Sequence, residues 1–97
     1  MRKFYADVIL NKEELKESDS NRIELEYYKI AKNVKKDQRT YGIEIVKTEY
    51  FNDKKLKESE NIYNVTNNED VINNLLSILK ENQVTPIGLN DVVDEIL

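Results

Sequence analysis

Apolar and polar residues alternate with a period of two along the first half of the chain, a pattern typical of β-strands with one buried face. The first run covers residues 3–11, and its inner set is Phe4, Ala6, Val8 and Leu10. Residues 12–21 are polar and charged, which predicts a loop or at most one frayed helical turn. A second run begins at Ile23 and a third reaches from Tyr41 to about Phe51, so we expect a long hairpin with a solvated turn at residues 35–38.

Two features make this strand region irregular. The apolar phase of the second run slips from Tyr27 to Tyr28, and a β-bulge near these two residues would restore the register. After a further turn at residues 52–55, a weaker alternation predicts a fourth strand, carried by Leu56, Ile62, Tyr63 and Val65.

The apolar period changes from two to about 3.6 at Thr66, which predicts helices for the rest of the chain. Thr66 and Glu69 fit a capping box, in which the threonine hydroxyl accepts a hydrogen bond from the Glu69 amide. The first helix is predicted over residues 67–82, and Thr85-Pro86 begins a second over residues 86–97. The first helix carries a wide apolar stripe that is suited to covering a sheet, formed by Val71, Ile72, Leu75, Leu76, Ile78 and Leu79.

These elements predict a single α+β domain over residues 1–97. Its architecture is an antiparallel meander of three or four strands over about residues 3–65, followed by a C-terminal helical hairpin packed on one sheet face. The chain contains only 2 Gly and 1 Pro, so most of it is expected to be regular structure.

The chain contains no histidine and no cysteine, which removes the commonest general base, the usual zinc ligands and the thiolate nucleophile. No metal or nucleotide motif is present, and we expect no cofactor and no small-molecule substrate. A net charge of -4 and a pI near 4.9 make nucleic acid an unfavourable partner. Neither an apolar leader nor an apolar membrane span is found, so a cytoplasmic protein that does not bind membranes is expected.

The outer face of the predicted sheet carries the most informative side chains. If Ile23, Leu25, Ile43 and Ile45 point towards the helices, strict alternation leaves a set of aromatic and aliphatic residues on the opposite face. Tyrosine is enriched in protein interfaces because it combines apolar area with a hydrogen-bonding tip. We therefore predict a partner-binding surface formed by Tyr5, Ile9, Tyr28, Val46 and Tyr50. Scattered tyrosines that are half-covered by lysine stems are the competing interpretation.

Two segments carry a resemblance to a known family: Tyr41-Gly42-Ile43-Glu44-Ile45-Val46-Lys47, and the stretch from Val84-Thr85-Pro86 through Leu89 and Asp91-Val92-Val93 to Ile96-Leu97. They resemble a group of small uncharacterised proteins of clostridia and related low-GC Gram-positive bacteria, a domain of unknown function, over about residues 40–97. The resemblance implies a bacterial cytosolic setting. It carries over no catalytic or binding residue, because its motifs are a strand and a capped helix.

The leading hypothesis is a non-enzymatic protein-interaction or regulatory module that binds a protein partner or forms a homodimer through the open sheet face. One alternative is a nucleic-acid or anion binder that uses the lysine-rich hairpin from Lys29 to Arg39. A solvated hairpin tip explains these lysines equally well.

A second alternative is an enzyme that uses strand carboxylates as an acid–base pair or a hard-cation site. The candidate carboxylates are Glu24, Glu26, Glu44 and Glu49. Alternating glutamates on the wet face of a strand, paired with Lys29 or Lys47, are the simpler interpretation.

Overall fold

The computed structural model describes residues 1–11, 13 and 20–97, so most of the predicted loop at residues 12–21 lies outside the described residues. Four strands are followed by helices, as the periodicity predicts. The strands are β1 (Arg2–Asn11), β2 (Arg22–Lys35), β3 (Gln38–Tyr50) and β4 (Lys55–Thr66). Helix α1 covers Glu69–Glu81, a 3₁₀ turn covers Pro86–Gly88, and helix α2 covers Leu89–Ile96. The α+β fold class is confirmed, and the fourth strand forms.

The strands make one antiparallel meander in the order β1-β2-β3-β4. Alternate residues of β2 and β3 face the helices, and we call this side of the sheet the helix face. The core lies between this face and the helices, and its fully or almost fully buried members are Leu25, Tyr27, Tyr41, Ile43, Ile45, Ile72, Leu75, Leu76, Leu79, Leu89 and Val93. Ile78, which the sequence places on the same helical stripe, is 37% exposed.

Tyr27 joins the sheet to the chain between the two helices. Its ring is fully buried, and its hydroxyl donates a hydrogen bond to the Val84 carbonyl oxygen at 2.9 Å. Burial disfavours the charged phenolate, which raises the pKa of Tyr27 to about 12. The hydrogen bond from the Tyr27 hydroxyl therefore holds the segment that follows α1 against the sheet.

The β-bulge that the sequence predicts near Tyr27 and Tyr28 of β2 lies in the neighbouring strand β1 instead. Alternation continues through β2 from Arg22 to Asn33, and the extra residue near Tyr27 is Tyr5 in β1, because Phe4 pairs with Tyr28 and Ala6 pairs with Tyr27. The bulge reverses the phase of β1, so Phe4 shares a face with Tyr28 instead of joining the core.

The predicted capping box is also wrong. Thr66 is the last residue of β4 and pairs with Tyr41, so its backbone is held in the sheet. Asn68 is the N-cap of α1, and its side-chain oxygen accepts hydrogen bonds from the amides of Asp70 at 2.9 Å and Val71 at 3.4 Å. The Thr66 hydroxyl instead accepts from the Asn68 amide at 3.1 Å, which supports the turn before the helix.

The two long strands extend beyond the helices that cover them. Fourteen residues give β2 a length of about 46 Å, whereas the 13 residues of α1 span about 20 Å. The described residues measure 49 × 24 × 17 Å along their principal axes. Residues 32–39 are all exposed, so the β2–β3 hairpin ends in a tip that the helices leave uncovered.

Candidate interaction surface

The face of the sheet opposite the helices, which we call the outer face, brings together most of the residues proposed from the sequence. Tyr28 pairs with Glu44, Glu26 with Val46, and Arg22 with Tyr50. Tyr28, Val46 and Tyr50 therefore share this face, as alternation predicts. Arg22 and Tyr28 are six residues apart on one strand, so the two tyrosines lie about 20 Å apart.

Tyr28 lies in a cluster that crosses three strands, which we call the Tyr28 cluster (Arg2, Phe4, Glu26, Tyr28 and Glu44). The Arg2 guanidinium stacks 3.9 Å above the Tyr28 ring centroid, and the Phe4 ring contacts it edge-on at 5.7 Å. Arg2 also donates to Glu44 at 2.6 Å, and the Tyr28 hydroxyl donates to Glu26 at 2.8 Å. Partial burial, with a smaller effect of Glu26, raises the pKa of Tyr28. The cluster is thus an ordered network in which each polar tip has a partner.

Tyr50 lies in a similar arrangement at the other end of the face, which we call the Tyr50 cluster (Arg22, Glu24 and Tyr50). Arg22 stacks 4.2 Å above the Tyr50 ring centroid, and the Tyr50 hydroxyl donates to Glu24 at 3.4 Å. Ile9 pairs with Glu24 across the β1–β2 ladder and is 47% exposed. An arginine, a tyrosine and an apolar neighbour are therefore found at both ends of the outer face.

The remaining proposed residues differ in what they present to solvent. Val46 is only 7% exposed and lies between the two clusters, so it forms the floor of the face instead of a contact area. Tyr5 occupies the β1 bulge and is 38% exposed. Phe4 is 51% exposed and replaces Val46 as the apolar side chain available to a partner.

Sequence reasoning missed Phe4, Arg2 and Arg22 as members of this surface. Strict alternation assigns Phe4 to the core, and no residue type in β1 marks the bulge that moves it. The two arginines could be placed over the tyrosines only with the strand register, which sets Arg22 opposite Tyr50 and sets Arg2 two pairs away from Tyr28.

The strand carboxylates do not converge on one site. Glu24, Glu26 and Glu44 are on the outer face, whereas Glu49 is on the helix face. The pKa of Glu49 is lowered by hydrogen bonds from the Ser20 hydroxyl at 2.7 Å and from Lys47, whose ammonium lies 3.2 Å away. Over residues 1–11, 13 and 20–97, no group of three acidic side chains is arranged to hold a metal ion.

The positive charges from Lys29 to Arg39 also divide between the two faces. The Lys29 ammonium lies on the helix face, where it binds Glu69 at 2.8 Å and the Asn73 side-chain oxygen at 3.1 Å. Lys32 pairs with Thr40 and lies on the outer face, whereas Arg39 pairs with Asn33 on the helix side. These cations therefore do not form one continuous stripe.

Comparison with protein families gives a match. The model of a family described as a family of unknown function (DUF6514) matches residues 6–97, which extends well beyond the resemblance over residues 40–97. Neither a curated protein nor a solved structure matches the chain. Among the helices of the described residues, each is too short or too polar to cross a membrane.

Proposed function

This chain belongs to the DUF6514 family, and because the description of that family names no activity, we propose a function from the geometry of the outer face. The chain is a small non-enzymatic protein-interaction module that pairs with a second copy of itself through this face. The observation that carries the proposal is the presence of two arginine–tyrosine stacks, Arg2 on Tyr28 and Arg22 on Tyr50, each beside an exposed apolar residue of β1.

Two properties of the outer face favour binding: the types of its residues, and the fixed conformations of their side chains. Tyrosine and arginine are the side chains most enriched among those that dominate interface energetics. The stacks and the hydrogen bonds to Glu24, Glu26 and Glu44 already fix these side chains in the free chain. A surface ordered in this way loses less conformational entropy on association.

The charge pattern of the outer face favours a second copy as the partner. In the β1–β2 half, the carboxylates of Asp7, Glu24 and Glu26 lie between Arg2 at one end and Arg22 at the other, whereas β4 presents Lys55 and Lys57. A two-fold axis parallel to the strands superimposes β1 of one copy on β4 of the other. This packing brings Lys57 of each copy towards the carboxylates in the middle of the other copy's β1–β2 half, and charge complementarity of this kind selects partners.

The same axis places the aromatic clusters on complementary groups. The strand register aligns Arg22 with Tyr50 and Tyr28 with Glu44 across the sheet. Under the two-fold axis, Tyr50 of each copy lies over Arg22 of the other, and Tyr28 lies over Glu44. Two sheets that pack face to face in this way lie about 10 Å apart.

The outer face has the size that a small interface requires. Ten residues of β1 span about 33 Å and four strands span about 19 Å, which gives roughly 600 Å² of flat area. Stable interfaces bury about 800 Å² on each partner, and the relief of the side chains adds accessible area to the flat estimate. A partner is expected to cover most of this face.

The test is the mass of the chain in solution, measured by sedimentation over a wide concentration range. We expect the wild-type chain to dimerise and the double variant Phe4→Ser with Ile9→Ser to remain monomeric, since it loses the apolar residue beside each stack. Ile87→Ser is the matched control, because Ile87 is 90% exposed on the helix side of the sheet. This control should dimerise as the wild type does.

Three results would contradict the proposal. One is a monomeric wild-type chain at the highest concentration, and the second is a dimer that persists in the Phe4→Ser, Ile9→Ser variant. The third is loss of the dimer in the Ile87→Ser control. Thermal unfolding of each variant, followed by circular dichroism, distinguishes lost association from a lost fold.

A further inference from the structure

The uncovered tip of the β2–β3 hairpin carries an open groove that plays no part in the outer face. Asn33 pairs with Arg39 and Lys35 pairs with Gln38 around a tight turn. Asp37 in this turn has a φ of 60°, a left-handed conformation that aspartate and asparagine adopt more readily than most residues. The turn fixes the two strand ends, so the groove is built on paired backbone.

The groove has the volume of a small-ligand site and a basic polar lining. Its volume is about 650 Å³, within the usual range of roughly 300 to 1,000 Å³ for such sites. Among the described residues, three cations and one anion line it, namely Lys35, Lys36, Arg39 and Asp37. Amide side chains of the hairpin and of Asn67 add hydrogen-bond donors.

The acidic first turn of α1, which carries Glu69 and Asp70, offsets only part of the positive charge at this groove. Glu69 in the first turn of α1 is already bonded to Lys29 at 2.8 Å. This hydrogen bond, together with the smaller effects of Arg39 and Lys3, lowers the pKa of Glu69. Lys29 is therefore the cation that binds this carboxylate directly, and Lys35 and Lys36 line the groove in addition to it.

We propose that the hairpin groove binds a phosphate-bearing ligand of about nucleotide size, with Lys35, Lys36 and Arg39 contacting the phosphate oxygens. Arginine and lysine are the side chains that bind phosphate by charge-assisted hydrogen bonds. The groove opens on the helix side of the hairpin, so pairing of two copies through the outer face leaves it accessible. This assigns to the groove the anion-binding role that the sequence left open for the hairpin.

The test is a titration of the isotopically labelled full chain with metal-free ATP, followed through the backbone amide resonances. We expect shifts at residues 33–39 and 67, and no shifts with adenosine, which has the same base and sugar but lacks phosphate. A parallel titration with oligothymidylate distinguishes two sources of the same chemistry. Tighter binding of the oligonucleotide indicates a nucleic-acid strand, and tighter binding of ATP indicates a free nucleotide.

Matched variants separate a specific site from general charge attraction. Lys35→Gln with Lys36→Gln should weaken ATP binding about tenfold or more, whereas Lys54→Gln with Lys80→Gln removes two exposed lysines elsewhere and should leave it unchanged. Asp37→Asn keeps the left-handed turn and removes the one negative charge, so it should tighten binding about fivefold at low salt.

Several outcomes would overturn the proposal. In the titrations, they are the absence of hairpin shifts with both ATP and oligothymidylate, and shifts with adenosine as large as those with ATP. Among the variants, they are a loss of ATP affinity in the Lys54→Gln, Lys80→Gln control equal to that of the hairpin variant, and weaker ATP binding by Asp37→Asn. Because Asp37→Asn is expected to gain affinity, a variant that merely damages the hairpin cannot imitate the expected result.

Discussion

Gly42 is the position in the sheet where the smallest substitution should have a large effect. It is buried in β3 opposite Ile30, where the β3–β4 pairing is interrupted between Tyr41 and Ile43. A Cβ atom added to Gly42 would lie 2.2 Å from the Ile62 carbonyl oxygen. Close carbon–oxygen contacts in sheets lie near 3.3 Å, so β4 would have to move away from β3 by about 1 Å.

The cost of Gly42→Ala follows from the atoms that the methyl group meets. The nearest atoms all belong to the backbone of Ile62 and Tyr63, so no side chain can rotate to make room. Overpacking of this kind costs about 1 to 3 kcal/mol and sometimes more. Replacing glycine by alanine also restricts the unfolded chain, which returns about 0.4 to 1 kcal/mol. We expect a net loss of about 1 to 2 kcal/mol, a sizeable part of the 5 to 15 kcal/mol typical of a domain.

The assay is equilibrium unfolding in urea, and the chain offers a matched control. Gly88 has a φ of -92°, and a Cβ added there would meet only Val84 Cγ1 at an ordinary 3.7 Å. Gly88→Ala should therefore leave the urea midpoint unchanged or raise it, whereas Gly42→Ala should lower it clearly. A Gly42→Ala midpoint equal to or above that of the wild type would refute the reasoning.

Three further predictions concern the core, the helix cap and the buried phenol. Leu75→Ala should lower the free energy of unfolding in urea by about 2 to 5 kcal/mol, because Leu75 is only 1% exposed. Asn74→Ala, on the exposed side of α1, should change it very little. Equal effects of the two substitutions would contradict the assigned helix face. Asn68→Ala should cost about 1 kcal/mol in urea, and an Asn68→Ala variant as stable as the wild type would contradict the assignment of Asn68 as the N-cap. The free energy of unfolding should fall between pH 10 and 12, because the Tyr27 phenol has a pKa near 10 in the unfolded chain and about 12 in the folded chain. An equal fall in a Tyr27→Phe variant would refute this.

The architecture could be predicted from the sequence wherever a single apolar periodicity continues along a whole element. Alternation from Ile23 and from Tyr41 correctly predicted β2, β3 and the core face, and the helical stripe correctly placed Leu75 and Leu79 against the sheet. The errors occur at the ends and irregularities of elements. Thr66 and Asn68 are both good caps in isolation, and only the pairing of Thr66 with Tyr41 decides between them.

The candidate surface was predictable in its position and not in its details. Alternation placed Tyr28 and Tyr50 on the outer face, because the period of a strand is local information. The stacking of Arg22 on Tyr50 depends on register, and the exposure of Phe4 depends on a bulge that no local pattern marks. The burial of Val46 likewise results from side chains on neighbouring strands, which a single strand's sequence does not describe.

The central claim, that two copies pair through the outer face, is tested most directly by mixing two charge-reversed variants. Under the proposed two-fold axis, Lys57 of each copy lies within reach of Glu24 of the other, so Lys57→Glu and Glu24→Lys should each create two repulsive contacts and remain monomeric alone. Mixing them restores an attractive pair at both contacts, and sedimentation should then detect a heterodimer. A mixture that stays monomeric while the wild type dimerises would contradict the claim, as would dimerisation of either variant alone.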